Sequence, residues 1–351
     1  MNRRRALSFC LCALLPACQS KRRAPAAVSS AAPLSKRAAV LGRIGGSVAR
    51  GERFSLELVV FRDGLIEAAL SDEDGHAFDE PAEVSIELGT RVGERARVPL
   101  VYAPQRQRFQ GQADASIELE SGPFDVDIAH DGRRTHIHRE HVIALRGPEL
   151  GGHMLALAKF GLELWPEASG RVRALVRDAR GELVRDAKLA FEARLLTTSL
   201  ARENVRLTWS EASDCYEGHA SAPLRPGPLE VALSSADSDV ARIRQAALAP
   251  APTRAGRVVL VGFHSVEVVA TQGELELFVY DAFGKRYPAN HLELVVLLRT
   301  KPNVTLSRAS WDAQRESYRA KLAAADVATV PFRISLRAGE RIDWGGAATL
   351  R

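Results

Sequence analysis

The sequence predicts an all-β chain made of three tandem antiparallel sandwiches, and three observations predict it. A domain-sized block recurs, its apolar residues alternate with period two, and Gly, Pro, Asp and Asn interrupt that alternation about every ten residues. The clearest ruler is Asp-x-x-Gly, at Asp72–Gly75, Asp178–Gly181 and Asp281–Gly284, spaced 106 and then 103 residues apart. A glutamate precedes each aspartate by 15, 15 and 14 residues: Glu57, Glu163 and Glu267. The first two copies share Gly-Gly-x7-Phe (Gly45, Gly46, Phe54; Gly151, Gly152, Phe160). Further on, Val98-x-Leu100-x-Tyr102 matches Val205-x-Leu207-x-Trp209, and Val304-x-Leu306 is followed by Trp311. A second aromatic comes next in every copy (Phe109, Tyr216, Tyr318), and a proline (Pro123, Pro228, Pro331) then opens a further apolar alternation.

Within each copy the alternation sorts residues onto two faces. Ile66, Ala68 and Leu70 point one way, as do Val172, Ala174 and Val176, or Leu275, Leu277 and Val279, while Glu67, Arg173 and Glu276 point the other. After the Asp-x-x-Gly the pattern resumes as Val84-x-Ile86-x-Leu88 and its counterparts, so Asp72, Asp178 and Asp281 read as hairpin turns. The Asp side chain caps its own backbone there, and the Gly supplies a positive φ. About seven such strands per copy make an immunoglobulin-like sandwich. At 351 residues the chain holds three of these after a leader: 41–148, 149–252 and 253–351.

The leader has its own logic. Arg3-Arg4-Arg5 is a positive n-region, Ala6 to Leu15 an apolar run too short to span a bilayer, and Leu15-Pro16-Ala17-Cys18 closes it. This resembles a bacterial lipoprotein signal, in which residues 1–17 are removed and Cys18 becomes the acylated N-terminus. Gln19 after Cys18, rather than Asp, implies sorting to the outer membrane as in Gram-negative lipoproteins. Residues 18–40, rich in Ala, Ser and Pro, read as a flexible tether between the membrane partner and the folded part. Cys10 and Cys12 leave with the signal and Cys18 takes lipid, so Cys215 alone remains and no intramolecular disulfide forms. Its place beside Tyr216 on a strand marks it as small apolar filler.

Charge narrows the function classes. Residues 1–40 hold eight Lys or Arg and no acid, leaving 40 basic against 43 acidic residues in the remainder. The folded part is slightly acidic, so nucleic acid is not an expected partner. There is no Gly-x-Ser-x-Gly elbow, His-Glu-x-x-His, phosphate loop or dinucleotide fingerprint, and the chain reads as a non-enzyme.

Two sets of residues are candidates for binding. His136 and His138 share a strand face, close enough to chelate zinc or copper(II), with His141 as a third ligand if the strand bulges; the competing reading is an exposed polar strand. Glu57, Glu163 and Glu267 recur on strands whose apolar neighbours face the opposite side. Such a charge pairs across the sheet, receives backbone amides, or binds a ligand.

Phe263-His264-Ser265-Val266-Glu267-Val268-Val269 followed by Leu275-x-Leu277-x-Val279-x-Asp281-x-x-Gly284-Lys285 resembles small periplasmic β-sandwich modules associated with heavy-metal efflux systems. The resemblance implies a periplasm-facing cell-envelope setting and an efflux protein as partner. His76 and Glu182 stand where the third copy has Lys285. The expectation is an envelope lipoprotein acting as a binding or scaffold module. The alternatives are a periplasmic metal-binding protein using His136, His138 and His141, and an adhesin or glycan-binding array marked by exposed aromatics on one face.

Overall fold

The computed structural model describes residues 44–347 apart from 73–74, 79–80, 115, 235–239, 255, 272, 288–289, 301–302, 322–330 and 340. Cys18 and the tether lie outside the described residues.

The first repeat runs β1 (Ser47–Arg50), β2 (Ser55–Phe61), β3 (Leu65–Ser71), β4 (Glu83–Thr90), β5 (Arg95–Ala103), a 3-10 turn η1 (Pro104–Arg106), β6 (Arg108–Gln112), β7 (Leu119–His130) and β8 (Arg133–Val142). Its strands are bonded in the order β1-β2-β3-β6-β5-β4-β7-β8. The path folds over at β5, which pairs with β6 in one sheet and β4 in the other, and the result is a sandwich. A short β9 (Ala144–Leu145) leaves the repeat and pairs in parallel with β2.

The second repeat is β10 (His153–Leu157), β11 (Phe160–Pro166), β12 (Arg171–Arg177), β13 (Ala190–Thr197), β14 (Arg202–Ser210), β15 (Cys215–His219), β16 (Leu224–Leu233) and β17 (Val240–Ala246). The third is β18 (Arg257–Val261), β19 (His264–Thr271), β20 (Glu274–Tyr280), β21 (Glu293–Thr300), β22 (Asn303–Asp312), β23 (Ser317–Lys321), β24 (Phe332–Ala338) and β25 (Arg341–Ala347). Both repeat the order of the first. The chain is all-β, three immunoglobulin-like sandwiches in tandem. Each has eight strands rather than about seven, because the short segment after the leading glycine adds an edge strand to the first long one.

Period two explains the cores. Leu56, Leu58 and Val60 of β2 lie opposite Leu70, Ala68 and Ile66 of β3, and all six are buried in one cluster. Each sandwich also carries one aromatic cross-strand pair on the hairpin that joins its sheets: Tyr102 with Phe109, Trp209 with Tyr216, and Trp311 with Tyr318. Their ring centroids are 5.1, 5.4 and 5.0 Å apart. Such pairs stabilise beyond their area, by about 1 kcal/mol each. The Tyr216 hydroxyl donates to the Asp186 carbonyl at 3.1 Å, and Tyr318 accepts from the Leu292 amide at 3.0 Å. Cys215 is buried and free.

Two of the prolines sit differently from the sequence expectation. Pro123 and Pro228 lie inside β7 and β16, at register shifts between Gly122 and Phe124 and between Gly227 and Leu229, rather than ahead of the strands. A residue without an N–H is tolerated there because the bulge already interrupts the ladder. Pro331 directly precedes β24, as read.

Candidate functional site

The three Asp-x-x-Gly elements are self-capped turns. Asp178 Oδ1 accepts the amides of Arg180 and Glu182, both at 2.9 Å, and Asp281 Oδ1 accepts those of Phe283 and Lys285, both at 2.9 Å. Asp72 Oδ1 takes the His76 amide at 2.7 Å. Gly75, Gly181 and Gly284 have φ of 82°, 78° and 73°, which only glycine adopts without strain.

The three glutamates lie on the outward rows of β2, β11 and β19, yet Glu57, Glu163 and Glu267 are 3%, 4% and 0% exposed. Each closes on the backbone that leads into its own repeat. Glu57 Oε1 accepts the amides of Ile44 (3.1 Å) and Gly46 (2.8 Å), and Glu163 accepts those of Gly152 (2.7 Å) and Glu149 (2.6 Å). Glu267 accepts the amides of Thr253, Arg254 and Gly256 and the hydroxyls of Thr253 and Tyr280, the last at 2.8 Å. Burial and hydrogen bonding compete at each carboxyl, and the balance differs between them. Burial pushes the Glu163 carboxyl above the usual carboxylate range in spite of its amide donors. Burial pushes Glu267 the same way, but the Tyr280 hydroxyl and the Arg254 and Thr253 amides outweigh it and hold that carboxyl below the usual range.

The held backbone then serves as a joint. The carbonyl of Gly45 accepts the Ala156 amide of the second repeat at 2.7 Å, and that of Gly151 accepts the Leu260 amide of the third at 2.7 Å. Both glycines have positive φ, 82° and 94°, and a Cβ would sit 2.9 Å from the Met154 carbonyl oxygen at one and 2.6 Å from that of Val258 at the other. Apolar clusters seal the joints: Val59, Ile143, Leu145 and Ala156 at the first, Trp165, Ala247, Ala249, Val258 and Leu260 at the second.

The histidines form an exposed polar ladder on the first repeat. His136 Nδ1 lies 2.9 Å from Asp127, and His138 Nδ1 lies 2.7 Å from Asp125. Arg97 and Arg95 grip the same two aspartates from the other side, at 2.9 and 2.6 Å. The hydrogen bond to Asp127 raises the His136 pKa above its ordinary value, and the bond from His138 lowers that of Asp125. Exposed His141 sits in an irregularity of register, between Arg139 opposite Phe124 and Val142 opposite Gly122. Among the described residues no three of His, Cys, Asp or Glu are grouped so that they could hold a metal ion. The large apolar side chains exposed among them are Val48, Val92, Val101, Leu200, Phe283 and Leu306, which include one aromatic.

What the sequence reading missed is a cleft of about 590 Å³ to which all three repeats contribute. Its floor is Val59, Leu65 and Ala69 of the first repeat with Met154, Ile243 and Leu260 of the other two. Its wall is ionic. Glu67, read as outward-facing, does point out of its sandwich but is buried here by η1, accepting Arg106 at 2.6 Å, Arg108 at 2.8 Å and Gln110 at 2.9 Å. Burial opposes ionisation of Glu67, but Arg108 and Arg106 outweigh it and keep its pKa low; burial in turn lowers that of Arg106 to about 10. Arg108 reaches to 4.0 Å from Asp343 of the third repeat, and Arg333 meets Asp63 of the first at 2.5 Å while stacking on Phe61 at 4.8 Å. His153 lines the second repeat's side; burial lowers its pKa, and its Nε2–H donates to the Ala247 carbonyl at 3.0 Å.

No local signal marks these residues, because they meet only across repeat boundaries. Glu67 shares its strand position with Arg173 and Glu276, so repetition marks it only as an outward-facing residue.

No family model matches the chain, and no curated relative matches it. Among solved structures it aligns with the Escherichia coli adhesin FdeC, at 16% identity over 88% of this chain and 98% of that one, with a TM-score of 0.17. It also aligns with a tetra-tandem repeat from the extending region of a large adhesion protein, at 11% identity over 84% and 73%, with a TM-score of 0.18. A third alignment is with the FN1–FN3 domains of chicken CNTN1, at 10% identity over 84% and 92%, with a TM-score of 0.17. None of them bears on what this chain does.

Proposed function

We propose that this protein is a non-enzymatic envelope lipoprotein, anchored through Cys18 to the outer membrane and facing the periplasm. Its three sandwiches act there as one fixed binding scaffold, accessory to a membrane efflux assembly. The observation that carries the scaffold reading is closure of the first repeat onto the third. Arg333 to Asp63 and β25 against η1 tie together repeats that are not neighbours in sequence. Three ties among three bodies fix their arrangement, which suits presentation of a composite surface better than a string of independent beads does. The leader and tether support the envelope half of the reading.

Both halves have a direct test. Full-length protein made in a Gram-negative host should fractionate with the outer membrane and incorporate a palmitate analogue, and Cys18→Ala should be released as soluble protein. For the scaffold, spin labels on V92C and L306C in a Cys215→Ser background should give one narrow distance distribution. A broad distribution, as from beads on a string, would sink the scaffold reading.

A further inference from the structure

The cleft between the three repeats has the size and place of a ligand site. Small-molecule sites occupy roughly 300–1,000 Å³, favour domain interfaces, and combine an apolar wall with a few convergent polar groups. Here about 590 Å³ is bounded by all three repeats. The charge around it is unbalanced. Of the arginines that line it, Arg106 and Arg108 are met by Glu67 and Asp343 and Arg333 by Asp63, which leaves Arg244 in excess among the described residues. His153 adds no charge, since burial lowers its pKa and its Nε2–H is given to a carbonyl.

The positions of these groups matter as much as their number. Glu67 is occupied by Arg106, Arg108 and Gln110, so it is not offered to a cation. Arg244 is exposed at the cleft, with no ion pair to any described residue. The cleft therefore offers an exposed guanidinium, unpaired among the described residues, together with the half-buried aliphatic side chains of Leu65, Met154 and Ile243.

We infer that the cleft binds a small amphiphile with an apolar body and a single carboxylate, the body lying along the inter-repeat floor and the carboxylate taken by Arg244. This rests on the scaffold reading, because the floor exists only while the repeats stay together. An Arg–carboxylate pair formed at the edge of an apolar cavity gives direction as well as affinity. Neutral amphiphiles gain the floor and lose the pair.

The test is calorimetric titration of the folded chain, residues 41–351, with decanoate and with decanol. Decanoate should bind about tenfold more tightly than decanol, equivalent to about 1.4 kcal/mol. Arg244→Gln should remove that preference while leaving decanol binding unchanged. Met154→Trp, which fills the floor, should weaken both, with the unfolding midpoint showing whether the variant is folded. As a check independent of any variant, spin-labelled decanoate should broaden the amide signals of Met154, Ile243 and Leu260 selectively. Equal binding of decanoate and decanol, no saturable binding, or broadening confined to other surfaces would overturn the inference. A narrow V92C–L306C distance with no decanoate binding would remove the ligand and leave the scaffold; a broad distance would remove both.

Discussion

The joints between successive repeats and the contact between the first and third repeats are built from opposite materials. The successive joints rest on backbone and apolar contact: a glycine carbonyl bonded to the next repeat's first strand, a linker residue bonded to the end of the first long strand, and an apolar seal, with side chains such as Arg62 and Arg257 donating to carbonyls. The closing contact is ionic, with Arg333 on Asp63, Arg108 near Asp343, and a cleft left open beside them. A joint that must form twice with the same geometry is best specified by backbone, which every copy has. A contact that forms once is specified by side chains in long-range positions, and partial desolvation makes such charges discriminating rather than strongly stabilising.

This contrast can be broken from either side. The largest effect is expected at the successive joint. Gly151→Ala places a Cβ 2.6 Å from the Val258 carbonyl oxygen at a φ of 94°, and should cost about 2–4 kcal/mol. Chemical denaturation should report that loss, and the distance between labels on the second and third repeats should broaden. Removing a clamp comes next. Glu267→Leu leaves several buried donors unsatisfied and should destabilise by about 3 kcal/mol in the same assay, mostly through the third repeat.

The clamps should also respond oppositely to acid. Glu267 has a folded pKa below its ordinary 4.5, so its contribution is present above that value and is lost as pH falls through the depressed one. Glu163 has a folded pKa above 4.5, so its contribution is greatest below 4.5 and declines as pH rises through the raised one. The stability difference between wild type and Glu267→Gln should therefore shrink on acidification, and that for Glu163→Gln should not. Equal pH slopes for the two would refute the opposite balance of burial and hydrogen bonding at these carboxyls.

The closing contact should be the milder one to lose. Arg333→Ala should cost about 1 kcal/mol of global stability yet visibly widen the V92C–L306C distance distribution, separating geometry from stability. The smallest effect belongs to the exposed ladder. Asp127→Asn should lower the His136 pKa, seen in its ring NMR shifts, with no measurable change in the unfolding midpoint.

Much of the chain was legible because a threefold repetition amplifies weak signals. Asp72, Asp178 and Asp281 announce turns by their spacing to glycine, and the period-two rows around Leu56, Leu162 and Val266 give the cores directly. Glu57, Glu163 and Glu267 were visible as a pattern, but what they touch was not, since the amides they hold lie 11 to 14 residues back across a turn. The reading of Glu67 shows the limit most plainly. Its strand parity correctly sends it out of the sandwich, and parity says nothing about what waits outside.

By itself the sequence determined the secondary structure, the number of sandwiches and the sites of their turns, because alternation and turn chemistry act over a few residues at a time. The Gly-Gly of the first two copies also belongs to that local grammar, although its partner strand does not. Only the tertiary structure decided that Arg333 would meet Asp63, that η1 would face β25, and that the space between would be a cleft lined by an exposed Arg244. Those outcomes depend on the angles at which rigid bodies join, and small angular differences at two joints become whole side-chain lengths at the third contact.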